Sequence, residues 1–525
     1  MLIKFIISFI VVLPYIYLKS KKSLHMLQQN WYNDGNRYIK WINNNKKKVF
    51  YNLDILFIVF IFGLILRTID LMALFIIFYS LSALLFLNKQ RKEHIVKPLV
   101  FTARVKRLII TTLLVYIIPS AIMTLLFKEK YLYVYYLVIG LLIYLNYYVV
   151  WLSNIINKPI EKHIANGFKK KAINKLNSMN LDVVGITGSY GKTSSKNILN
   201  DVLNVKYNSF ATPKNYNTPV GLIISINNFL DKFNDIFIAE MGAFKIGEIK
   251  ELCDLVHPKY GILTRIGVAH LESFGSQENI QKGKFELIES LPSDGIGILN
   301  YDDPLQVSYK LKNKVKIVTI GIDNKDVDFR ATNIKLKETG TTFDLIIKGD
   351  KKKYEFESKL LGKANVYNIL ASIALGYNLG ISIDQLKIGV KKVKPVEHRL
   401  ELKKMGRINI IDDAYNANPD GTKMALDVLY SVKGKKIVIS SGMIELGAKS
   451  YELNKELGKY MKKCDEVILL GHDLTKPIID GLKEEKYDES KIHVFNNIEE
   501  ALKLINNEDQ NTYVLIQSDL PDIFS

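Results

Sequence analysis

Cysteine is almost absent from this chain. Cys253 and Cys464 are the only two among 525 residues, which is too few for a four-thiolate zinc site or a disulfide framework. A reducing compartment therefore fits the sequence best. At about 100 to 200 residues per domain, a chain of this length predicts about three domains.

Acidic residues are also in the minority. The chain has 72 Lys and Arg against 53 Asp and Glu, a formal net charge of +19. A basic excess can indicate nucleic-acid binding, but basic residues beside apolar runs are more typical of the cytoplasmic face of a membrane protein. Here they flank apolar runs and lack interleaved stacking aromatics, so we expect membrane lipid and no nucleic acid as their partner.

Long apolar runs dominate the first 155 residues. They occur at 2–18, 53–66, 71–87, 108–127 and 131–153, and the last two are long enough to cross a bilayer as helices. Arg67 and Asp70 predict a tight turn between the second and third runs, because a charge pair buried within one long helix would be costlier. Lys residues and no small-residue cleavage site follow the first run, which favours an uncleaved anchor. The sequence predicts about five spans.

The distribution of Lys and Arg orients these spans. The loops 19–49, which includes Lys19, and 88–107 carry most of the basic residues of the region, whereas the turns between runs hold only Arg67, Lys128 and Lys130. By the positive-inside rule both loops are cytoplasmic, so the N-terminus lies outside and everything after about residue 155 lies in the cytosol. Residues 156–180 are basic and weakly amphipathic, which predicts a juxtamembrane helix and linker.

The segment GITGSYGKT, residues 185–193, has the composition of a phosphate-binding loop. It follows a strand-like LDVV and precedes a segment of helical spacing, the context that such a loop needs. Its glycines let backbone N–H groups approach phosphates, Lys192 can reach the outer phosphates, and Thr193 can ligate Mg²⁺. The usual spacing would place a glycine at Ile186, so this motif alone leaves an ordinary glycine-rich turn open.

Polar residues also follow the next strands. The apolar DIFIA delivers Glu240 to the carboxyl end of a strand, and His270 lies just past the strand ILT. Open α/β sheets bind ligands at that edge. A carboxylate and an imidazole can share a metal ion with phosphate oxygens, although a lone glutamate there is usually just solvated.

The C-terminal part alternates strands with helices. Strands are predicted at INIID, KIVIS, EVILLG, HVF and YVLIQ, with helical segments near 419–432, 451–464, 475–484 and 497–506. This alternation predicts a doubly wound parallel sheet, a Rossmann-like domain able to close over the site at the phosphate loop.

The offset glycines of the loop, G-x-T-G-x-x-G-K-T-[ST], resemble those of the Mur ligases, ATP-dependent enzymes that join amino acids or peptides to a carboxylate during peptidoglycan synthesis. Further segments similar to this family follow in order, and Glu-Met-Gly-Ala with Gly-Glu-Ile is typical of the subgroup that adds D-alanyl-D-alanine to a tripeptide precursor. These segments are NYNTPVG at 215–221, AEMGAFKIGEI at 239–249, ILTRIGVAHLESFGS at 262–276, IQKGKFELIES at 280–290, LGKANVYNILASIALG at 361–376, EHRLE at 397–401, IDDAYNANPDG at 411–421 and SGMIELG at 441–447.

The apolar runs and the resemblance together predict membrane helices followed by α/β domains. We expect a transmembrane region at 1–155, a basic linker at 156–180, the P-loop Mur ligase central ATP-binding domain at 181–397 and the Rossmann-like C-terminal domain at 398–525. Because the phosphate loop follows the last predicted span so soon, the transmembrane region is expected to stand in place of the family's UDP-binding domain.

The resemblance also implies roles for individual residues. Lys192, Lys284, His270 and Arg399 are the implied catalytic residues. The implied ATP ligands are Gly188, Ser189, Tyr190, Gly191, Lys192, Thr193, Ser194, Asn365, Asn368, Arg399 and Asp413. The implied metal ligands are Thr193, Glu240, His270 and Lys284, with Lys284 at the position of the family's carbamoylated lysine.

Each of these roles has a plainer alternative. Asn365 and Asn368 match adenine-contacting asparagines but could instead cap a helix. Arg399 matches an arginine brought toward the γ-phosphate but could be an ordinary surface residue. Lys284 could be an unmodified, solvated lysine, with Lys282 as a near competitor. Asp413, in turn, matches the family's ribose-contacting acid.

The sequence departs from the subgroup at three places. Arg265 stands where the subgroup usually has Asn, Ala364 where it has His, and Ser441-Gly442 where it has Gly-Asp. We expect a membrane-anchored ligase that uses ATP and Mg²⁺ to join an amino acid or dipeptide to a muramyl peptide or related polymer through an acyl phosphate. The alternatives are a ligase for another acceptor, such as poly-γ-glutamate, and a non-catalytic nucleotide-binding membrane regulator.

Overall fold

The computed structural model describes residues 2–33, 37–61, 71–91, 98–126, 132–267, 271–337, 340–414, 418–444, 446–471, 474–505, 508 and 511–517. The chain divides into two compact units, Met1–Gly167 and Phe168–Ser525. We call them the helical unit and the α/β unit.

The helical unit is built from helices with one 3₁₀ segment, Asn52–Ile61. Its last helix, α7, contains the boundary between the two units. The helices are α1 Leu2–Gln29, α2 Tyr38–Asn44, α3 Lys46–Val49, α4 Leu71–Arg91, α5 Ala103–Leu126, α6 Leu132–Tyr144 and α7 Asn146–Asn177.

Within the described residues, fewer candidate spans are found than the five predicted. Among the described residues, Met72–Arg91 and Ala103–Met123 are long and apolar enough to cross a membrane. A third span results if the pair Val134–Tyr144 and Asn146–Asn177, bent by 80°, is counted as one. The predicted run 53–66 is a 3₁₀ segment in its described part, and the predicted turn at Arg67 and Asp70 lies outside the described residues.

The prediction of a loop at 19–49 is wrong for the described residues. Helix α1 continues to Gln29, because lysines are good helix formers and do not end a helix. Lys19 is consequently buried and forms an ion pair with the buried Asp54. Its Nζ also donates to the backbone oxygen of Ile143 at 2.8 Å, and the Tyr15 hydroxyl donates to Asp54 at 2.5 Å.

The α/β unit opens with a nine-stranded sheet of order β2-β3-β1-β4-β5-β6-β7-β8-β9. The strands β1 to β7 pair in parallel, while β8 and β9 add antiparallel hairpins at one edge. The strands are β1 Asp182–Thr187, β2 Ser209–Ala211, β3 Ile236–Glu240, β4 Tyr260–Leu263, β5 Ile296–Asn300, β6 Lys316–Gly321, β7 Phe329–Lys337, β8 Gly340–Ile347 and β9 Lys353–Ser358.

Helices cover this sheet, which explains why β1 and β3 are almost wholly apolar and buried. The predicted apolar face of the helix after the phosphate loop is confirmed, since Ile198, Leu199, Val202 and Leu203 are fully buried. The helices are α8 Lys192–Leu203, α9 Pro219–Asn228, α10 Glu248–Val256, α11 Leu271–Phe274, α12 Gln277–Glu289, α13 Pro304–Val307, α14 Gly362–Asn378 and α15 Ile383–Lys392.

A second sheet has the order β10-β11-β15-β12-β13-β14 and is parallel except for the β10–β11 pair. All five predicted strands of this part are present, and β10 is an additional edge strand. The strands are β10 Glu401–Met405, β11 Ile408–Asp413, β12 Lys435–Ser440, β13 Glu466–Leu470, β14 Ile492–Phe495 and β15 Thr512–Gln517. The helices are α16 Pro419–Ser431, α17 Ser450–Tyr460, α18 Thr475–Glu484 and α19 Ile498–Ile505, with 3₁₀ turns at Gly447–Lys449, Met461–Lys463 and Glu489–Lys491.

Candidate active site

The loop between β1 and α8 is hydrogen-bonded to the residues that follow the neighbouring strand β4. Gly188 and Gly191 have φ values of 151° and 78°, a region that favours glycine. The backbone N–H of Ser189 donates to the oxygen of Arg265 at 2.9 Å, and the Thr264 hydroxyl donates to the oxygen of Tyr190 at 2.6 Å. The loop thus places the N-terminus of α8 at the carboxyl edge of the sheet, the geometry of an anion site.

Lys192 is the first residue of α8 and folds back over the loop. Its Nζ donates to the backbone oxygens of Gly188 at 2.8 Å and Ser189 at 3.1 Å. Burial lowers the pKa of this amine to about 8, and the positive charge of Arg399 acts in the same direction, while Glu240 opposes them. A phosphate group beside Lys192 would favour its charged form.

Glu240 ends β3 and is buried beside the loop. Its Oε1 accepts from the Thr193 hydroxyl at 3.2 Å and from the Asn217 side-chain amide at 3.0 Å. Its Oε2 lies 2.9 Å from the Nζ of Lys196. The alternative of a solvated glutamate is therefore wrong, because the side chain is 1% exposed.

Lys284 is buried on α12, whereas the competing Lys282 is exposed. The Lys284 amine donates to the backbone oxygen of Ala243 at 3.3 Å and lies 5.4 Å from the centre of the Phe274 ring. Burial lowers the pKa of this amine well below its usual value, with the charge of Lys192 adding to the effect. The alternative of a solvated Lys284 is wrong, and a neutral amine is the form that reacts with electrophiles.

An open cleft adjoins the loop. It lies between residues of the two sheets, so the C-terminal sheet contributes to the same site. Its lining includes the predicted residues Tyr190, Gly191, Ser194, Asn365, Asn368, Arg399 and Asp413.

The two asparagines are buried within α14 and do not cap it, because Leu361 is the N-cap residue. Asn368 accepts from the Ser195 hydroxyl at 2.8 Å, and Asn365 donates to the oxygen of Leu361 at 2.9 Å. Asp413 is also buried and accepts from the backbone N–H of Leu400 at 3.1 Å, which fixes the residue next to Arg399.

Arg265, one of the departures from the subgroup, joins the two halves of this cleft. Its guanidinium lies 3.4 Å from the carboxylate of Asp420, at the start of α16. The backbone oxygen of the same residue holds the phosphate loop. Arg265 therefore connects the loop with the C-terminal sheet.

The donor set near the loop suits a hard cation. Within the described part of the chain, no three His, Cys, Asp or Glu side chains converge as a metal site, and His270 lies outside that part. The carboxylate of Glu240 and the hydroxyl of Thr193 are nevertheless adjacent oxygen donors at the phosphate loop, which is the chemistry that Mg²⁺ prefers.

Comparison with protein families decides the assignment. The model of the Mur ligase middle domain matches residues 186–376, and that of the Mur ligase glutamate ligase domain matches residues 398–520. The chain belongs to the Mur ligase family. The predicted family and fold class are confirmed, and with them the enzyme class, an ATP-dependent, ADP-forming ligase.

Individual relatives of this Mur ligase point to one subgroup. The chain is 33% identical over 336 residues to a UDP-N-acetylmuramoyl-tripeptide--D-alanyl-D-alanine ligase of Bacillus subtilis, covering 62% of this chain and 71% of the relative. It is 31% identical over 293 residues to the Escherichia coli protein of that name, covering 55% of this chain and 64% of the relative. A MurF ligase from Thermotoga maritima, solved in complex with ADP, has a TM-score of 0.61 and 27% identity, covering 68% of this chain and 80% of that one.

Two residues of this Mur ligase site were not identified from the sequence. Asn217 lies within the segment NYNTPVG. This segment is similar to the family, but its sequence assigned no role to the asparagines. Lys196 lies in GKTSSK, one helical turn after Lys192, where a lysine ordinarily indicates a solvated face. Its burial depends on Glu240, which is distant in sequence.

Proposed function

We propose that this chain is a membrane-anchored ligase of the D-alanyl-D-alanine-adding type, acting on a peptidoglycan precursor. The observation that carries the proposal is the contact between Thr193 of the phosphate loop and the buried Glu240, with a second buried lysine, Lys284, within electrostatic range of Lys192. The loop adjoins a cleft lined by residues of both sheets. A non-catalytic regulator would have no need of a buried lysine within electrostatic range of the phosphate-loop lysine.

The reaction has two steps. A carboxylate is a poor acyl donor, so one of its oxygens first attacks the γ-phosphorus of ATP, and the bond from that phosphorus to the ADP oxygen breaks. The substrate amine then attacks the carbonyl carbon of the acyl phosphate, phosphate leaves with the bonding electron pair, and the amine loses a proton. An amide, ADP and inorganic phosphate result.

The chain's own residues would favour the first step by charge and position. The loop N–H groups and Lys192 hold the phosphates, and Arg399 brings a second positive charge from the C-terminal sheet. Asn365, Asn368 and Asp413 would orient the nucleoside in the cleft, which keeps the γ-phosphorus in line with the attacking oxygen.

Mg²⁺ fits the oxygen donors of this site. Thr193 and Glu240 would hold it, with His270 and a carbamoylated Lys284 as further candidates, and when bound it neutralises charge on the phosphoryl group. The low pKa and the dry surroundings of Lys284 support carbamoylation, because the neutral amine is the nucleophile that adds to carbon dioxide and loses a proton.

We also propose that the helical unit is held in the cytoplasmic membrane by α4, α5 and the bent α6–α7 pair. Apolar side chains such as Ile77, Leu84, Ile110 and Leu125 are exposed on α4 and α5, a surface that favours lipid over water. The domain limits 1–155, 156–180, 181–397 and 398–525 remain part of this proposal, with the last two domains cytoplasmic.

The exposed basic stretch of α7 supports contact with anionic lipid. Its side chains Lys158, Lys162, Lys169, Lys170 and Lys171 are all exposed. Each Lys or Arg near an anionic leaflet contributes about 1 kcal/mol of attraction.

Phosphate release from ATP by the purified full-length protein tests the function. With Mg²⁺, UDP-muramoyl-tripeptide and D-alanyl-D-alanine together, we expect release that stops when either substrate is omitted, and amide product by mass spectrometry. Lys192→Ala should reduce the rate by at least about a hundredfold.

Lipid-linked precursors and glutamate polymers serve as alternative acceptors in the same assay. Activity with one of these alone would replace the muramyl substrate. ATP turnover that needs no acceptor and persists in Lys192→Ala would contradict the ligase mechanism.

A further inference from the structure

Lys196 is a buried lysine that the reaction described above does not use. It lies on α8, is 1% exposed, and is among the largest fully buried side chains of the protein. Burying an ammonium group is costly unless it is paired and hydrogen-bonded. The partners of the Lys196 amine therefore indicate its role.

The Lys196 amine pairs with only one of the two carboxylate oxygens of Glu240. Its Nζ lies 2.9 Å from Oε2, whereas Oε1 accepts from Thr193 and Asn217. One carboxylate oxygen is thus held by a fixed positive charge, and the other is turned toward the phosphate loop. Without Lys196, the two oxygens would be free to exchange by rotation of the side chain.

The same amine also fixes the loop that carries Asn217. It donates to the backbone oxygen of Lys214, a residue with a φ of 47°, which is a strained conformation for a side chain of this kind. Asn217 follows three residues later, donates to Oε1 of Glu240, and accepts at its backbone oxygen from the N–H of Gly242 at 2.8 Å. One lysine thereby holds both the carboxylate and the amide that orients it.

We propose that Lys196 is a positioning residue that makes Glu240 a ligand through Oε1 alone for the divalent cation of the nucleotide. The inference rests on the proposed function, since that function supplies the cation. It predicts opposite effects on cation binding and on turnover.

Removal of the Lys196 charge strengthens the attraction between the cation and Glu240, because a nearby positive charge no longer opposes it. It also frees Oε2, so the cation can sit in more than one arrangement. Turnover requires a single arrangement and therefore falls, by about 10- to 100-fold as for residues that orient metal ligands. A general folding defect would instead weaken cation binding and turnover together.

The test uses Lys196→Met in the full-length protein. Mn²⁺ serves as the probe, and its Kd is measured by electron paramagnetic resonance on the ADP-loaded protein, while kcat comes from phosphate release. We expect kcat to fall at least about tenfold while the Mn²⁺ Kd also falls, which means tighter binding. A kcat within twofold of the parent, or a Mn²⁺ Kd that does not fall, would overturn the inference.

Three further variants make the result specific. Lys206→Met is the matched control, because Lys206 is an exposed lysine whose amine donates to the backbone oxygen of Gly380. Both readouts should stay within twofold of the parent. Lys196→Gln keeps a donor without the charge and should give an intermediate kcat; it also replaces Lys196→Met if that variant does not fold. Glu240→Gln should weaken Mn²⁺ binding, and failure to do so would contradict the inference by placing the cation elsewhere.

This design separates the two proposals. If the parent protein releases no phosphate with any acceptor, the proposed function fails. The Mn²⁺ comparison between Lys196→Met, Lys206→Met and the parent still tests Lys196, because it needs ADP and no acceptor.

Discussion

At the scale of single residues, Lys284 combines burial with a lowered pKa and few polar partners. We expect Lys284→Ala to lose at least about 99% of the ligase rate, because carbamoylation would supply a metal-binding carboxylate at this position. Added bicarbonate or a short carboxylate such as acetate should restore part of the rate by occupying the space of the missing group. Phosphate release measured with and without these additives checks both expectations.

Lys282→Ala is the matched control for that experiment. Lys282 lies two residues away on the same helix with an exposed side chain, so its removal should change the rate by less than twofold. Full activity in Lys284→Ala would exclude Lys284 from the mechanism.

Gly188 is restricted by its neighbour across the loop. A Cβ at this position would lie 1.9 Å from the Thr264 hydroxyl oxygen, which itself donates to the loop at Tyr190. We expect Gly188→Ala to cost about 1–3 kcal/mol by displacing that contact, seen as a lower Tm and an ADP Kd raised about tenfold or more.

Gly275→Ala separates this clash from backbone strain. Gly275 has a φ of 80° but open space around its Cβ position, so the variant should lower Tm slightly and leave the ADP Kd unchanged. Equal ADP affinity in both variants would show that the Thr264 contact does not shape the phosphate site.

At the scale of elements, the Lys19–Asp54 pair ties α1 to the 3₁₀ segment Asn52–Ile61, and its bond to Ile143 adds α6. We expect Asp54→Ala to destabilise the helical unit by about 3–5 kcal/mol, because it leaves a buried ammonium group unpaired. The Tm of the detergent-solubilised protein should fall accordingly.

The double variant Lys19→Met, Asp54→Leu tests the cause. It removes both charges and fills the space with apolar side chains, so it should recover most of the lost Tm. A double variant as unstable as Asp54→Ala would mean that packing, rather than the unpaired charge, accounts for the loss.

Elements with strong local signals were predictable from the sequence. The glycines and apolar spacing around 185–203 predicted β1, the phosphate loop and α8, and the alternation after residue 398 predicted the parallel strands of the second sheet. Strand β10 was not predicted, because its side chains are nearly all half-buried and do not alternate between apolar and polar.

Residues whose roles depend on distant partners were not predictable. The sequence placed Lys19 in a cytoplasmic loop and gave no role to Lys196. In the structure each is buried and paired with a carboxylate from another element, Asp54 and Glu240. A local pattern carries no information about such pairing. For Lys284 the resemblance to a family supplied the role, and only the fold distinguished it from Lys282.

At the scale of the whole molecule, the proposed arrangement is a membrane anchor with its ATP site in the cytosol. A reporter fused after residue 155 should therefore give a cytoplasmic signal, because the basic residues of 88–107 and of α7 remain on that side. The full-length protein should stay in the membrane pellet after an alkaline carbonate wash. An external reporter signal would contradict the orientation.

The strand order of the first sheet also affects how the protein is made. Strand β1 lies between β3 and β4, so it has no partner until the ribosome has synthesised Ile236–Glu240 and Tyr260–Leu263. Chains are synthesised from the N-terminus, so β1 emerges before both of its neighbours and is unpaired until they follow. During that interval its open edge can pair with another copy of the chain, which favours aggregation.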